Sequence, residues 1–167
     1  MVKIEVLENE GKISRIRETE LDRYTNFYTE SYEDNLKHSE ATLETYPRWS
    51  IISGYYSMHD ISKLVIAKVY RFKVEREVHA TTIKVLRELL KDEETLKLIE
   101  EGYEEFQNLA NELSDAKKDR VKVQYYTGTA FMKERYKGRA FEFHADVVKP
   151  YIEKIKKLLE KDDNWYF

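Results

Sequence analysis

Between Pro47 and Val69 the chain carries Trp49, Ile51, Ile52, Tyr55, Tyr56, Met58, Ile61, Leu64, Val65, Ile66 and Val69. On a helical projection these residues go most of the way round, and a helix that is apolar on most sides has to be enclosed by others. The segment therefore predicts the centre of a helical bundle. Pro47 suits the first turn of such a helix and restricts Tyr46 to extended geometry, so a short corner should precede it. Gly54 and Ser57 would let a neighbouring backbone come close.

The other segments read as its neighbours. Residues 1–17 form an extended arm or hairpin: Val2, Ile4 and Val6 alternate with polar residues, Asn9-Glu10-Gly11 supplies turn chemistry, and Ile13 and Ile16 follow. Thr19 is placed as the N-cap of a first helix in which Leu21, Tyr24, Tyr28, Tyr32, Leu36 and Leu43 keep to one face as far as Tyr46. Tyr70 to Val78 is a polar loop, and His79 to Leu90 a shorter helix with Ile83, Leu86 and Leu90 on one side. Asp92 caps a fourth helix whose stripe is Leu96, Ile99, Tyr103, Phe106, Ala110 and Leu113. Gly102 costs that helix about 1 kcal/mol. A fifth shows Phe141, Ala145, Val148, Ile152, Ile155 and Leu159, with Pro150 kinking it near Asp146. The expectation is one all-α domain: an antiparallel bundle of four to five helices over 18–161, with an N-terminal arm or hairpin and a short aromatic tail, 162–167.

Composition narrows the chemistry. With 167 residues the chain can bury a core. It has no cysteine, which removes disulfides, thiolate catalysis and cysteine-based zinc sites. A cytoplasmic, unprocessed protein is the expectation, since no long apolar run or leader pattern is present. There is no glycine-rich phosphate loop, paired-histidine motif or serine elbow. His38, His59, His79 and His144 are scattered, so no metal or cofactor is expected.

Charge is unevenly placed. The whole chain is at -3, yet from Lys117 to Arg139 eight basic residues meet only Asp119 and Glu134, a local +6. Glu18 to Tyr46 has eight acids against Arg23 and Lys37, a local -6. The two segments either neutralise each other across a helix pair or leave a focused positive region. Within the basic run, Arg120, Lys122, Gln124, Tyr125 and Tyr126, followed by Lys133, Arg135 and Tyr136, interleave cations with aromatic faces. That combination tracks a phosphate backbone and stacks bases. Arg120 sits two turns beyond Leu113 on nearly the same face, and a guanidinium there has to find carboxylates, carbonyls or a phosphate. The plainer reading is a charged helix end held in a salt bridge.

Gly54-Tyr55-Tyr56-Ser57-Met58, His79 opening the third helix, and Arg120 followed by Tyr125 at the end of the fourth resemble the HEPN superfamily (higher eukaryotes and prokaryotes nucleotide-binding domain), in its small stand-alone archaeal and bacterial branch. Gly11-Lys12-Ile13-Ser14-Arg15-Ile16 is similar to that branch's N-terminal segment. The resemblance implies a homodimeric helical bundle that binds RNA or a nucleotide, often encoded beside a nucleotidyltransferase partner in toxin-antitoxin pairs. Active members are metal-independent RNases with an arginine followed four to six residues later by a histidine. The arginine carries over to Arg120; where the histidine would stand are Tyr125, Tyr126 and Thr127. Phenol is a weak base, with a pKa near 10, so cleavage by Arg120 and Tyr125 is the alternative to binding. A non-catalytic dimeric interaction module, in which Arg120 meets acids of the first helix, is the other alternative.

Overall fold

The computed structural model describes the backbone of residues 3–118 and 129–163, and their side chains outside 113–133 and 162–163. Along the chain come α1 (Ile4–Asn9), β1 (Ile13–Arg15), α2 (Glu18–Thr42), α3 (Pro47–Lys68), β2 (Phe72–Val74), α4 (Val78–Leu89), α5 (Glu93–Lys118), α6 (Thr129–Phe143), a π-helical turn (His144–Val148) and α7 (Lys149–Asp163). The architecture is the expected all-α bundle with a small sheet at its N-terminal side. No helix among the described residues is long and apolar enough to cross a membrane.

Helix α3 is the axis. It packs against α2, α4, α5, α6, the π turn and α7, and Ile51, Tyr55, Met58, Ile61, Ile66 and Ala67 are completely buried. This is what its nearly all-round apolar character demands. The central helix also buries polar residues, because it has so little solvent face. Ser57 donates to the Tyr32 carbonyl at 2.8 Å, Ser62 lies 2.5 Å from the Tyr151 hydroxyl, and Asp60 meets Ser31 and Lys63.

Two glycines are where neighbours press closest. A Cβ on Gly54 would stand 3.0 Å from both Ser39 Oγ and Val148 Cγ2, and one on Gly102 would stand 2.9 Å from Met58 Cε. The second contact explains how Gly102 sits inside α5 without breaking it: the missing side chain is the space Met58 fills.

Several local expectations are corrected. The alternation at Ile4 and Val6 winds into α1, with Leu7 as its buried residue. The extended segment begins later, at Ile13, and pairs antiparallel with β2, Ser14 opposite Lys73, inside what reads as a polar loop. Gly11 turns the chain between α1 and β1 at φ +66, which suits glycine. Thr19 is not the N-cap; Arg17 precedes α2 without a side-chain cap, because the Ile16 N–H is already bonded to the Arg71 carbonyl and sets where the helix begins. Helix α2 ends at Thr42, four residues before Tyr46. Asp92 does cap α5: Oδ1 accepts from the Glu94 N–H and Oδ2 from the Thr95 hydroxyl.

Pro150 acts near Asp146, as expected, but the outcome is a π turn. Its extra residue shifts the helix face. The buried seam is therefore Tyr136, Ala140, Phe143, His144, Val148, Tyr151, Ile152 and Ile155, while Phe141 and Ala145, expected inside, are exposed. In α5, likewise, Leu109 is buried and Ala110 exposed.

Candidate functional site

Arg120, Lys122, Gln124, Tyr125 and Tyr126 lie outside the described residues. Lys133 belongs to the backbone of α6, and its side chain also lies outside them. Arg135 is exposed on α6. What can be built is the frame around this stretch: the described ends of α5 and α6, and the elements they meet.

Those ends converge on the α2–α3 corner. The Tyr136 hydroxyl of α6 donates to Glu112 of α5 at 2.7 Å. Arg139 pairs with Glu105 and, at 2.8 Å, with Glu112; burial opposes its charge, and the two carboxylates outweigh that and raise its pKa. Arg48, at the start of α3, lies over the Tyr136 ring with its guanidinium 5.6 Å from the centroid. Arg48 has no carboxylate partner among the described residues. Next to it in sequence are two exposed aromatics, Tyr46 at 64% and Trp49 at 60%. One end of the bundle thus carries a guanidinium resting on a phenol ring with no carboxylate partner among the described residues, two open rings and the exposed Arg135.

The four histidines have distinct surroundings. His79 is at the centre of an aromatic cluster: its Nδ1 is 2.8 Å from the Tyr55 hydroxyl, and Tyr103, Phe106 and His59 have ring centroids 5.9, 5.6 and 4.6 Å away. Burial there, with His59 and Lys63 nearby, lowers its pKa to about 4, so the ring is neutral at pH 7. His59 is buried, with Nε2 3.3 Å from Thr82 Oγ1 and Nδ1 without a hydrogen-bond partner. Burial lowers its pKa too.

His144, in the π turn, is 4% exposed. Its Nδ1 is 3.2 Å from Ser39 Oγ, and its Nε2 is 3.5 Å from Glu40. These are the groups of a nucleophilic triad without its access. Ser39 is buried, and its hydroxyl donates to the Ser50 carbonyl at 2.9 Å. The set ties α2, α3 and the π turn together. His38 differs from the other three in being exposed, with Nδ1 3.0 Å from Ser53 Oγ.

A groove of about 290 Å³ between α5 and the π turn is lined by Glu101, Glu104, Glu105, Glu142 and Asp146 over Phe143 and Val147. Its charge repels phosphate. No group of three or more His, Asp or Glu residues among the described ones is arranged to hold a metal ion.

No protein-family model, curated protein or solved structure matches this chain.

Sequence reasoning pointed to the basic run and passed over two features at the same end. Trp49 counts among the apolar residues that mark α3 as the central helix, yet it is 60% exposed, at the head of a strip where Ile52 and Tyr56 are only partly covered. Arg48 carried no periodic signal. Only the packing of α6 against the start of α3 gives it a partner.

Proposed function

We propose that this chain binds RNA or a nucleotide through its phosphates at the α2–α3 end of the bundle. The observation that carries the reading is Arg48: a guanidinium with no described carboxylate partner, laid on Tyr136, with exposed Tyr46 and Trp49 near it in the chain and exposed Arg135 next to Tyr136. Cations supply affinity for phosphate, and open aromatic rings accept bases at about 1–3 kcal/mol each. The local +6 that the sequence carries from Lys117 to Arg139 suits an anionic partner. Arg120, Lys122, Gln124 and Tyr126 belong to this surface in our reading, with Lys133 and Arg135 along α6. The HEPN resemblance points the same way, to a homodimer and a nucleotidyltransferase partner.

Binding is preferred to cleavage by Arg120 and Tyr125 because that pair lacks a base. His144 and His79 are committed to the interior by Ser39 and Tyr55. Binding is preferred to a plain interaction module because Arg48 has no acidic partner among the described residues.

Fluorescence anisotropy with a labelled single-stranded RNA tests the reading. Affinity should fall with rising salt, and Arg48→Ala and Arg135→Ala should each lower the slope of log K against log salt by about 1. Salt-independent affinity, or slopes unchanged in both variants, would refute it.

A further inference from the structure

We propose that the groove between α5 and the π turn is a docking surface for a basic peptide segment of a partner protein, one that carries an apolar side chain between lysines or arginines. Its chemistry is the opposite of the phosphate site's, and it stands whether or not that site binds RNA.

Helical spacing makes the groove. On α5, Glu104 and Glu105 follow Glu101 by three and four residues, so the three share a face. Opposite them stand Glu142 of α6 and Asp146 of the π turn. Between the two walls lie Phe143, 6% exposed, and the partly covered Val147, and the space is about 290 Å³.

Five carboxylates face one cation here. Arg139 is engaged by Glu105 and Glu112, and Lys97 reaches Glu101 at 3.5 Å. Glu104, Glu142 and Asp146 are exposed and have no ion-pair or hydrogen-bond partner among the described residues. Like charges gathered at the rim of an apolar floor repel one another, and a ligand that brings cations relieves the repulsion. The turn that carries Asp146 is also short of a donor, because Pro150 has no N–H to give back to it.

Acids are common on this chain; the apolar floor sets these apart. A larger cavity beside the small sheet, about 480 Å³, is lined by Glu8 and Glu75 and by Arg15 and Arg76, so its charges balance. Of the two, the groove on α5 alone joins an excess of acid to a phenylalanine.

The occupant follows from those two halves. An apolar side chain covers Phe143 and Val147, while flanking lysines or arginines lay their stems along the walls and carry their charge to the carboxylates at the rim. A nucleic acid is repelled. A metal ion gains nothing from the floor, and no group of three or more metal-binding side chains is arranged to hold one among the described residues. A peptide with side chains of both kinds matches both.

The test uses the full chain and a fluorescein-labelled synthetic peptide that repeats Lys-Leu-Arg, with binding followed by anisotropy. Glu104→Gln, Glu142→Gln and Asp146→Asn together should weaken binding by about tenfold or more. The same change of charge on exposed acids of α2 and the corner after it, Asp22→Asn, Glu30→Gln and Glu44→Gln, should alter it by less than about twofold. Serine in place of leucine in the peptide should also cost about tenfold. Circular dichroism checks that each variant is folded. Absence of saturable binding, or equal binding by the groove variant, overturns the proposal. An equal loss in the α2 variant reduces the effect to net charge and overturns it too, as does undiminished binding of the serine peptide. Sedimentation supplies the last check: a groove variant that turns an oligomer into a monomer makes this face a contact between copies of the chain and overturns the partner reading. None of these outcomes touches the phosphate site, which is measured with RNA.

Discussion

Replacing Asp60 tests how the central helix tolerates a buried charge. Asp60 is 5% exposed. One carboxylate oxygen receives the Lys63 ammonium at 2.7 Å; the other accepts from Ser31 at 2.6 Å and Asn35 at 3.3 Å. Burial would raise its pKa, but His59, Lys63 and Ser31 outweigh burial and bring it from 3.8 down to about 2. Asp60→Ala leaves Lys63, itself largely buried, without its counterion, which costs about 3–5 kcal/mol. For a chain this long, each kcal/mol is about 2–4 °C in Tm, so a loss of roughly 10 °C is the expected outcome of thermal unfolding at pH 7. The pH dependence is the sharper check. A carboxylate whose folded pKa is depressed stabilises above its unfolded pKa and loses that contribution as pH falls through the folded one. The gap between 3.8 and about 2 corresponds to about 2 kcal/mol. Urea unfolding of the parent chain and Asp60→Asn should therefore differ by about 2 kcal/mol at pH 6, and the difference should shrink steadily below pH 4. A difference constant from pH 6 to pH 2.5 would refute the ion-pair reasoning and make Asp60 a packing residue only.

Other outcomes follow from the same contacts. Gly54→Ala should destabilise by about 1–3 kcal/mol, because its new methyl meets the stiff Val148 and the bonded Ser39; Gly102→Ala should be close to neutral, since the flexible Met58 end can move and helix propensity gains about 1 kcal/mol. The reverse order in thermal denaturation would refute this. His79→Phe should flatten the loss of stability on acidification, because a histidine with its pKa lowered to about 4 resists protonation in the folded state and so favours unfolding as pH falls from 6.5 towards 4; an unchanged pH dependence counts against it. Tyr151→Phe should cost about 1 kcal/mol by unfolding equilibrium, removing the bond to Ser62 in a buried setting.

Much of the fold was legible from residue pattern alone. Helix α3 announced itself as the centre because apolar residues on every side leave a helix no stable place except among other helices. The Asp92 cap and the corner at Pro47 could be read locally, since each depends on backbone groups a few residues away. The N-terminal strand was misplaced by several residues because α1 is short and the pairing partner of β1 is Phe72–Val74, far along the chain, where no local alternation marks it. The seam held through Val148, Ile152 and Ile155 but was misphased before them, at Phe141 and Ala145, for a related reason: a π turn adds one residue to a helical turn, and heptad counting carries no sign of it.

The candidate site divides along the same line. The sequence by itself determined which chemistry was open to the chain: no thiols, no phosphate loop, scattered imidazoles, and a basic, tyrosine-rich run in search of an anion. Those are properties of residue types and local spacing. Tertiary structure decided which groups are free to use them. Only packing lays Arg48 on Tyr136 across two helices and buries His144 against Ser39. Each of these depends on which side chains meet across the bundle, and that is set by how whole helices fit against α3.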